Sequence, residues 1–205
     1  MAEPLGAILA GGLARRMGGG DKTLRTLGDR TILDHVVERF GPQCGEVVIN
    51  ANGDPARFSR HRLPVVPDTV PDFAGPLAGI LAVLDHAAGA HPEVTEIVSV
   101  AADTPFLPVD LVARLLAARD EAGAELACAQ SCGRSHPVVG LWPVRIRSEL
   151  RRALTEEGER KIDRFTARYR LAVAEWPVEP FDPFFNVNRP DDVEEAEALL
   201  RRFPD

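Results

Sequence analysis

Cysteine is scarce in this chain: Cys44, Cys128 and Cys132 are the only three among 205 residues. An odd number spread this thinly does not build a disulfide framework. Long apolar runs are missing too, since nothing approaches the about 20 residues that a membrane span needs. The apolar stretch from Leu5 to Ala14 lacks the positive n-region of a secretory signal, because Glu3 precedes it and Arg15 and Arg16 follow it. A cytoplasmic protein is the expectation. Positive charge is in deficit, with 24 Lys and Arg against 31 Asp and Glu, a formal net charge of −7. That balance argues against a general binder of nucleic acid or of anionic membrane, so an anionic ligand has to be held by local charge. Low-complexity tracts, internal repeats and long linkers are absent. The chain therefore reads as one domain, large enough to bury roughly 70% of its unfolded surface. No Ser/His/Asp or Cys/His set marks an activated nucleophile, and His35, His61, His86 and His91 suggest no chemistry. Cys128, Cys132 and His136 lack a Cys-x-x-Cys pair, and a zinc site is not expected from them.

What the sequence does have is one dense stretch near its start. The apolar run Ala7-Ile8-Leu9 suits a buried strand and opens into a loop with Gly11, Gly12, Gly18, Gly19 and Gly20, closing on Asp21-Lys22. Glycines let backbone N–H groups turn inward and approach a ligand closely. Successive N–H groups around one concavity make an anion nest, to which Arg15, Arg16 and Lys22 add positive charge. The outline is a phosphate cradle. The strict G-x-x-x-x-G-K-[ST] pattern fails, because Asp21 separates Gly20 from Lys22-Thr23, and G-x-G-x-x-G is absent from this loop. From glycines and charges alone, a phosphate cradle and a plain surface turn both stay open.

The rest of the chain alternates strands with helices. Thr31 is a candidate N-cap for a helix from Ile32 to Phe40, ended by Gly41-Pro42. Strands are expected at Glu46 to Asn50, Leu63 to Asp68 and Glu96 to Val100, and helices from Pro76 to about Ala88 and from Pro108 to Glu121. In the second half, Ala124 to Gln130 and His136 to Trp142 flank Ser131-Cys132-Gly133-Arg134 as a hairpin or a wider crossover pair. A helix from Pro143 to about Glu157, a charged turn, a short helix to Tyr169, a strand from Leu171 to Trp176 and a terminal helix from Pro190 complete the reading. This pattern predicts a single three-layer α/β domain with a mostly parallel, Rossmann-like sheet. The chain changes character at about residue 124, which divides the domain into about 1–123 and about 124–205.

In such sheets ligands bind beyond the carboxyl ends of the strands. The glycine loop, Asn50, Asp68 and Asp103 all fall at predicted strand ends on that edge. Asp103 is placed to hold a hard cation such as Mg²⁺, which takes one or two carboxylates plus substrate phosphate oxygens. The competing reading makes it a helix N-cap ahead of Pro105 and Pro108. Asp68 before a loop is equally an Asx-turn former, and Gly75-Pro76 is an ordinary helix start.

Taken as a whole, Leu9-Ala10-Gly11-Gly12, Arg16-Met17-Gly18 and Asp21-Lys22 resemble the signature loop of the molybdenum cofactor guanylyltransferases, within the nucleotidyltransferase superfamily. Gly75 to Gly79, Asp103 to Phe106, Gly158 to Phe165 and Asn186-Val187-Asn188 extend the resemblance along nearly the whole chain. It implies transfer of GMP from GTP to the phosphate of molybdenum-loaded molybdopterin, with Mg²⁺ as cofactor. By the same resemblance, Leu9, Ala10, Gly11, Gly12, Lys22, Asn50, Asp68 and Asp103 contact the nucleotide, and Asp103 holds the metal. Arg16 matches the Arg-Met-Gly pattern and would act with Lys22 and Asp103 in catalysis, while Asn186 and Asn188 would approach the acceptor. Transient contact with molybdenum-insertion proteins or molybdoenzyme chaperones is also implied. Gly11, where related cytidylyltransferases carry Ala, favours guanine over cytosine. The rival readings are a guanylyl- or cytidylyltransferase acting on another phosphorylated acceptor, such as a cobinamide, and a GTP-binding regulatory domain without turnover.

Overall fold

The apolar run after Pro4 forms β1 (Leu5–Leu9), whose side chains alternate between two buried faces. Such two-sided burial is the mark of a central strand in a parallel sheet. The structure, a computed structural model, describes residues 2–11, 22–70 and 75–203. β1 lies between β4 (Glu46–Asn50) and β6 (Glu96–Ala101), parallel to both, and β5 (Val65–Val66) adds a parallel edge beyond β4. On the other side come β8 (Arg134–Pro143), β7 (Leu126–Ser131) and β9 (Leu171–Trp176). The seven-stranded order is β5-β4-β1-β6-β8-β7-β9, with β8 antiparallel to both its neighbours. The short strands β2 (Thr26–Leu27) and β3 (Arg30–Thr31) form a separate ribbon.

Helices cover both faces. On one, α1 (Ile32–Phe40) and α3 (Leu111–Glu121) pack Leu33, Val36, Phe40, Leu111 and Leu115 against Ile8, Ile49 and Val100. On the other, α2 (Pro76–Ala90), α4 (Arg147–Thr155) and α5 (Ile162–Thr166) meet Ala7, Val48, Ile97 and Trp142 through Ile80, Leu84, Leu150 and Phe165. A smaller cluster gathers Leu27, Ile32, Phe106, Val187 and Ala196, and so seats α6 (Pro190–Arg202) on the β2–β3 ribbon. Thr31 caps α1 as expected. Its Oγ1 accepts from Asp34 N–H at 3.2 Å, and the Asp34 carboxylate accepts from Thr31 N–H at 2.7 Å, a reciprocal box whose loss costs about 1 kcal/mol.

Three boundaries differ from the sequence reading, and the pair left open as a hairpin or a crossover resolves to a hairpin. The strand expected at Leu63 to Asp68 is paired only at Val65–Val66, beside Ile49 and Asn50. The helix expected from Pro108 begins at Leu111, after a turn closed by Leu111 N–H on the Pro108 carbonyl. β7 and β8 form a hairpin, and that hairpin inserts β8 next to β6. Pro143 ends β8, where it pairs with Glu96, instead of starting a helix. The next N–H, of Val144, still bonds the Thr95 carbonyl at 2.8 Å; a 3-10 turn (Val144–Ile146) follows, and the α-helix begins only at Arg147.

Candidate active site

Because β5, β4, β1 and β6 run parallel, their carboxyl ends share one edge. The register sets Leu9 beside Asn50 on one side and Ala101 on the other, with Val66 next beyond Asn50. Cross-strand bonds continue past the last paired residues. Ala10 N–H reaches the Asn50 carbonyl at 2.9 Å, Ala51 N–H the Val66 carbonyl at 3.1 Å, and Ala102 N–H the Leu9 carbonyl at 3.1 Å. Three interstrand steps of about 4.8 Å give this row of ends a breadth of about 14 Å.

A cleft of about 230 Å³ opens over that edge. Leu9, Ala10 and Gly11 line it from the exit of β1, Asn50 and Asp68 from β4 and β5, and Ala101, Ala102 and Asp103 from β6. Gly75 and Pro76 bring the start of α2 to it, and Thr23, Val138 and Asn186 complete the wall. The cleft thus brings together Leu9, Ala10, Gly11, Asn50, Asp68, Asp103 and Asn186 from the sequence-predicted set. Gly12, Arg15 and Arg16 lie outside the described residues. Lys22 opens a single 3-10 turn (Lys22–Leu24) whose second residue, Thr23, is buried in the cleft wall. Asn188 is not part of that lining; its backbone N–H donates to the Asp192 carboxylate at 2.7 Å, at the entrance to α6.

At the β4–β5 end, polar groups fix one another. Asn50, 2% exposed, donates from Nδ2 to the Val66 carbonyl and to Asp68 Oδ1, both at 3.0 Å. Both partners are acceptors, which orients the amide and leaves its oxygen against α2 at Gly79. Asn52, which the sequence reading passed over, takes the other carboxylate oxygen, donating from Nδ2 to Asp68 Oδ2 at 2.7 Å. The Asp68 carboxylate is therefore held at both oxygens while still facing the cleft.

At the β6 end, Asp103 is 8% exposed. The helix that follows starts eight residues on, and Asp110 stands at its N-cap position, so Asp103 caps no helix. Its backbone carbonyl accepts from Val187 N–H at 2.9 Å, and the Thr104 hydroxyl donates to Asn186 Oδ1 at 3.1 Å. Those two bonds deliver Asn186, from near the C-terminus, to the wall beside Asp103. Farther along, His136 accepts or donates at Nε2 with Ser131 Oγ at 2.7 Å, and its ring packs on Phe184. Burial pushes the His136 pKa down, against Asp182, which raises it. Cys128 is buried in β7, with its thiol pushed up to about 11, while Cys132 is exposed in the hairpin turn.

With that geometry in place, comparison with known proteins settles the family. The family model described as the MobA-like NTP transferase domain matches residues 6–172. A molybdenum cofactor guanylyltransferase from Bradyrhizobium sp. (strain ORS 278) is 60% identical over 194 residues, covering 95% of this chain and 92% of its own. This chain belongs to the molybdenum cofactor guanylyltransferases. The fold agrees with that membership. The crystal structure of molybdopterin-guanine dinucleotide biosynthesis protein A from Archaeoglobus fulgidus superposes with a TM-score of 0.75 at 27% identity, over 97% of this chain and all of that one. A Mycobacterium tuberculosis protein, solved in complex with manganese, shares the fold with a TM-score of 0.69 at 17% identity over 96% of this chain and 99% of that one.

The donor set suits a hard divalent cation better than a soft one. Asp103 offers carboxylate oxygens and Asn186 an amide, and among the described residues the cleft lining holds no imidazole or thiolate. Among the described residues no three His, Cys, Asp or Glu side chains group as a self-sufficient cage. That fits Mg²⁺, which keeps waters and shares substrate phosphate oxygens instead of demanding an all-protein shell.

Proposed function

We propose that this protein transfers GMP from GTP to the terminal phosphate of molybdenum-loaded molybdopterin, releasing pyrophosphate and forming molybdopterin guanine dinucleotide. One observation carries the reading: a nucleotide-sized row of strand ends has Asn50 and Asp68 at one end and Asp103 with Asn186 at the other. Family membership supplies the identities of donor and acceptor.

In this reading the guanine edge meets the Asp68–Asn50 end, beside Gly11, and the triphosphate runs over Leu9 and Ala10 towards Asp103. An acceptor phosphate oxygen attacks the α-phosphorus. A new P–O–P bond forms as the bond to pyrophosphate breaks. A phosphomonoester is largely dianionic at neutral pH, its second pKa being about 6, so no general base is needed. That agrees with the described cleft lining, whose polar side chains are Thr23, Asn50, Asp68, Asp103 and Asn186. Positioning two anions in line and balancing charge on the leaving group supply the catalysis. Lys22 and Arg16 are assigned to the phosphates, and Asn186 with Asn188 to the acceptor side. Asp103 would hold Mg²⁺, which when bound supplies positive charge at the phosphate oxygens. Substrates of this kind are soluble phosphates, and no helix among the described residues is long and apolar enough to cross a membrane; the cytoplasm is the proposed compartment.

Pyrophosphate release tests the reading, with purified protein, GTP, Mg²⁺ and either molybdenum-loaded molybdopterin or cobinamide phosphate. Turnover with the pterin alone is expected. Turnover with cobinamide phosphate alone would overturn the acceptor, and GTP binding without turnover on either would favour a regulatory domain.

A further inference from the structure

The Asp68–Asn52 pair is more tightly built than a surface turn requires. Asn52 Nδ2 donates to Asp68 Oδ2 at 2.7 Å, and Asp68 N–H donates back to Asn52 Oδ1 at 2.9 Å. A backbone N–H can only donate, so the amide oxygen must face it and the NH₂ must face the carboxylate. The second carboxylate oxygen is taken by Asn50 Nδ2 at 3.0 Å. Both amides approach from the protein, and each carboxylate oxygen keeps a further lone pair. Asp68 is thereby presented to the cleft as a fixed double acceptor.

Asn52 is itself mounted rigidly. Its backbone carbonyl accepts from Arg57 Nη2 at 2.7 Å, and it is followed by Gly53 at φ +84°. Asp54 then caps the 3-10 turn Pro55–His61 by accepting from Ala56 N–H at 2.9 Å. Phe58, 1% exposed, anchors that turn in the core.

We infer that Asn52 is a positioning residue for base choice: it holds the Asp68 carboxylate in the plane that receives the paired N1–H and N2–H₂ donors of guanine. The inference rests on the reading of Asp68 as the base contact. A carboxylate bonded at one oxygen only is free to rotate about its Cβ–Cγ bond, and the two acceptors lose their common alignment. Hypoxanthine keeps N1–H and lacks the 2-amino group, so it makes one of the two bonds and gains less from the alignment.

The experiment compares GTP with inosine triphosphate as donors, by kcat/KM for pyrophosphate release, in wild type, Asp68→Asn and Asn52→Ala, with thermal unfolding of each. Wild type is expected to favour GTP by about tenfold, the effect of one unpaired acceptor. Asn52→Ala should reduce the GTP value by about tenfold and the inosine value less, compressing the ratio, at an unfolding midpoint close to wild type. A loss of fold would move both donors together. Should the Ala variant be unstable, Asn52→Ser keeps a turn-forming residue that cannot bridge to the carboxylate, and the same compressed ratio is expected. If wild type discriminates, Asp68→Asn does not, and folded Asn52→Ala keeps the wild-type ratio, the role of Asn52 is overturned and the base contact stands. If wild type uses both donors equally, the base contact itself falls and this inference with it.

Discussion

The side-chain oxygen of Asn50 sits 2.2 Å from where a β-carbon at Gly79 would be. Strand β4 and helix α2 meet there at a distance only hydrogen allows. The approach is what lets Asn50 point its NH₂ at Val66 and Asp68.

Gly79→Ala should therefore damage nucleotide binding more than folding. The methyl group would also crowd Leu9, at 3.3 Å, so Asn50 must turn away and release Asp68. Overpacking costs about 1–3 kcal/mol, offset by about 1 kcal/mol of helix propensity for Ala over Gly. A small fall in melting temperature is expected, with GTP affinity weakened about tenfold or more through the lost charged hydrogen bond. Calorimetric titration with GTP beside thermal unfolding checks it; unchanged affinity would show that Asn50 is not needed in this orientation.

Asp103→Asn should leave the fold intact, because Asn has nearly the same shape and the backbone carbonyl keeps its bond from Val187 N–H. Transfer should fall at least about a hundredfold, a few kcal/mol of charge stabilisation being at stake. Circular dichroism and Mg²⁺-dependent pyrophosphate release decide the matter. Near wild-type turnover at saturating Mg²⁺ would remove Asp103 from the metal site.

Gly11→Ala isolates base choice. A β-carbon there would lie 3.7 Å from Asn50 Oδ1, ordinary contact, so the substitution fits. The preference for GTP over CTP should narrow about tenfold as purine space is lost. Donor competition at limiting nucleotide measures this, and an unchanged preference would place discrimination elsewhere.

His136 makes stability depend on pH. Burial holds its pKa below the ordinary 6.5, outweighing Asp182, while Arg134 lowers it further. The unfolded chain therefore takes up a proton more readily than the folded one. Its contribution is complete above about 6.5 and is lost as pH falls through the window below that value. Denaturant midpoints at pH about 7.5 and about 5.5 should differ less for His136→Gln than for wild type. An identical difference in both would clear His136 of the effect.

The strands that carry the site were legible because each ends an apolar run on a single polar residue: Asn50, Asp68 and Asp103. Chain order could not show where β8 lies, since alternation within a strand says nothing about which strand it joins. Pro143 misled because a proline suits a helix start and a strand end alike; the Val144–Thr95 bond, a tertiary contact, decides between them. Asn52 precedes Gly53 and Asp54, a local pattern that reads as a turn. Its partner Asp68 is 16 residues away. Asn186 reaches Thr104 across 82 residues. Family likeness implied a place near the acceptor for it; the bond that seats it in the cleft wall is a long-range contact that chain order does not show.

The insertion of β8 has a consequence for how the polypeptide is made. Strand β7 pairs with β8 and β9 alone, and both are synthesised after it. When the chain has emerged as far as residue 131, β1, β4, β5 and β6 already have one another, but β7 has no neighbour, and its future place is separated from β6 by a strand that has not yet emerged. Unpaired strand edges invite intermolecular pairing. A chain exposed only as far as the turn at Cys132-Gly133 thus carries the parallel strands β5-β4-β1-β6 and an orphan strand, and emergence of the next ten residues, Arg134–Pro143, is what joins them.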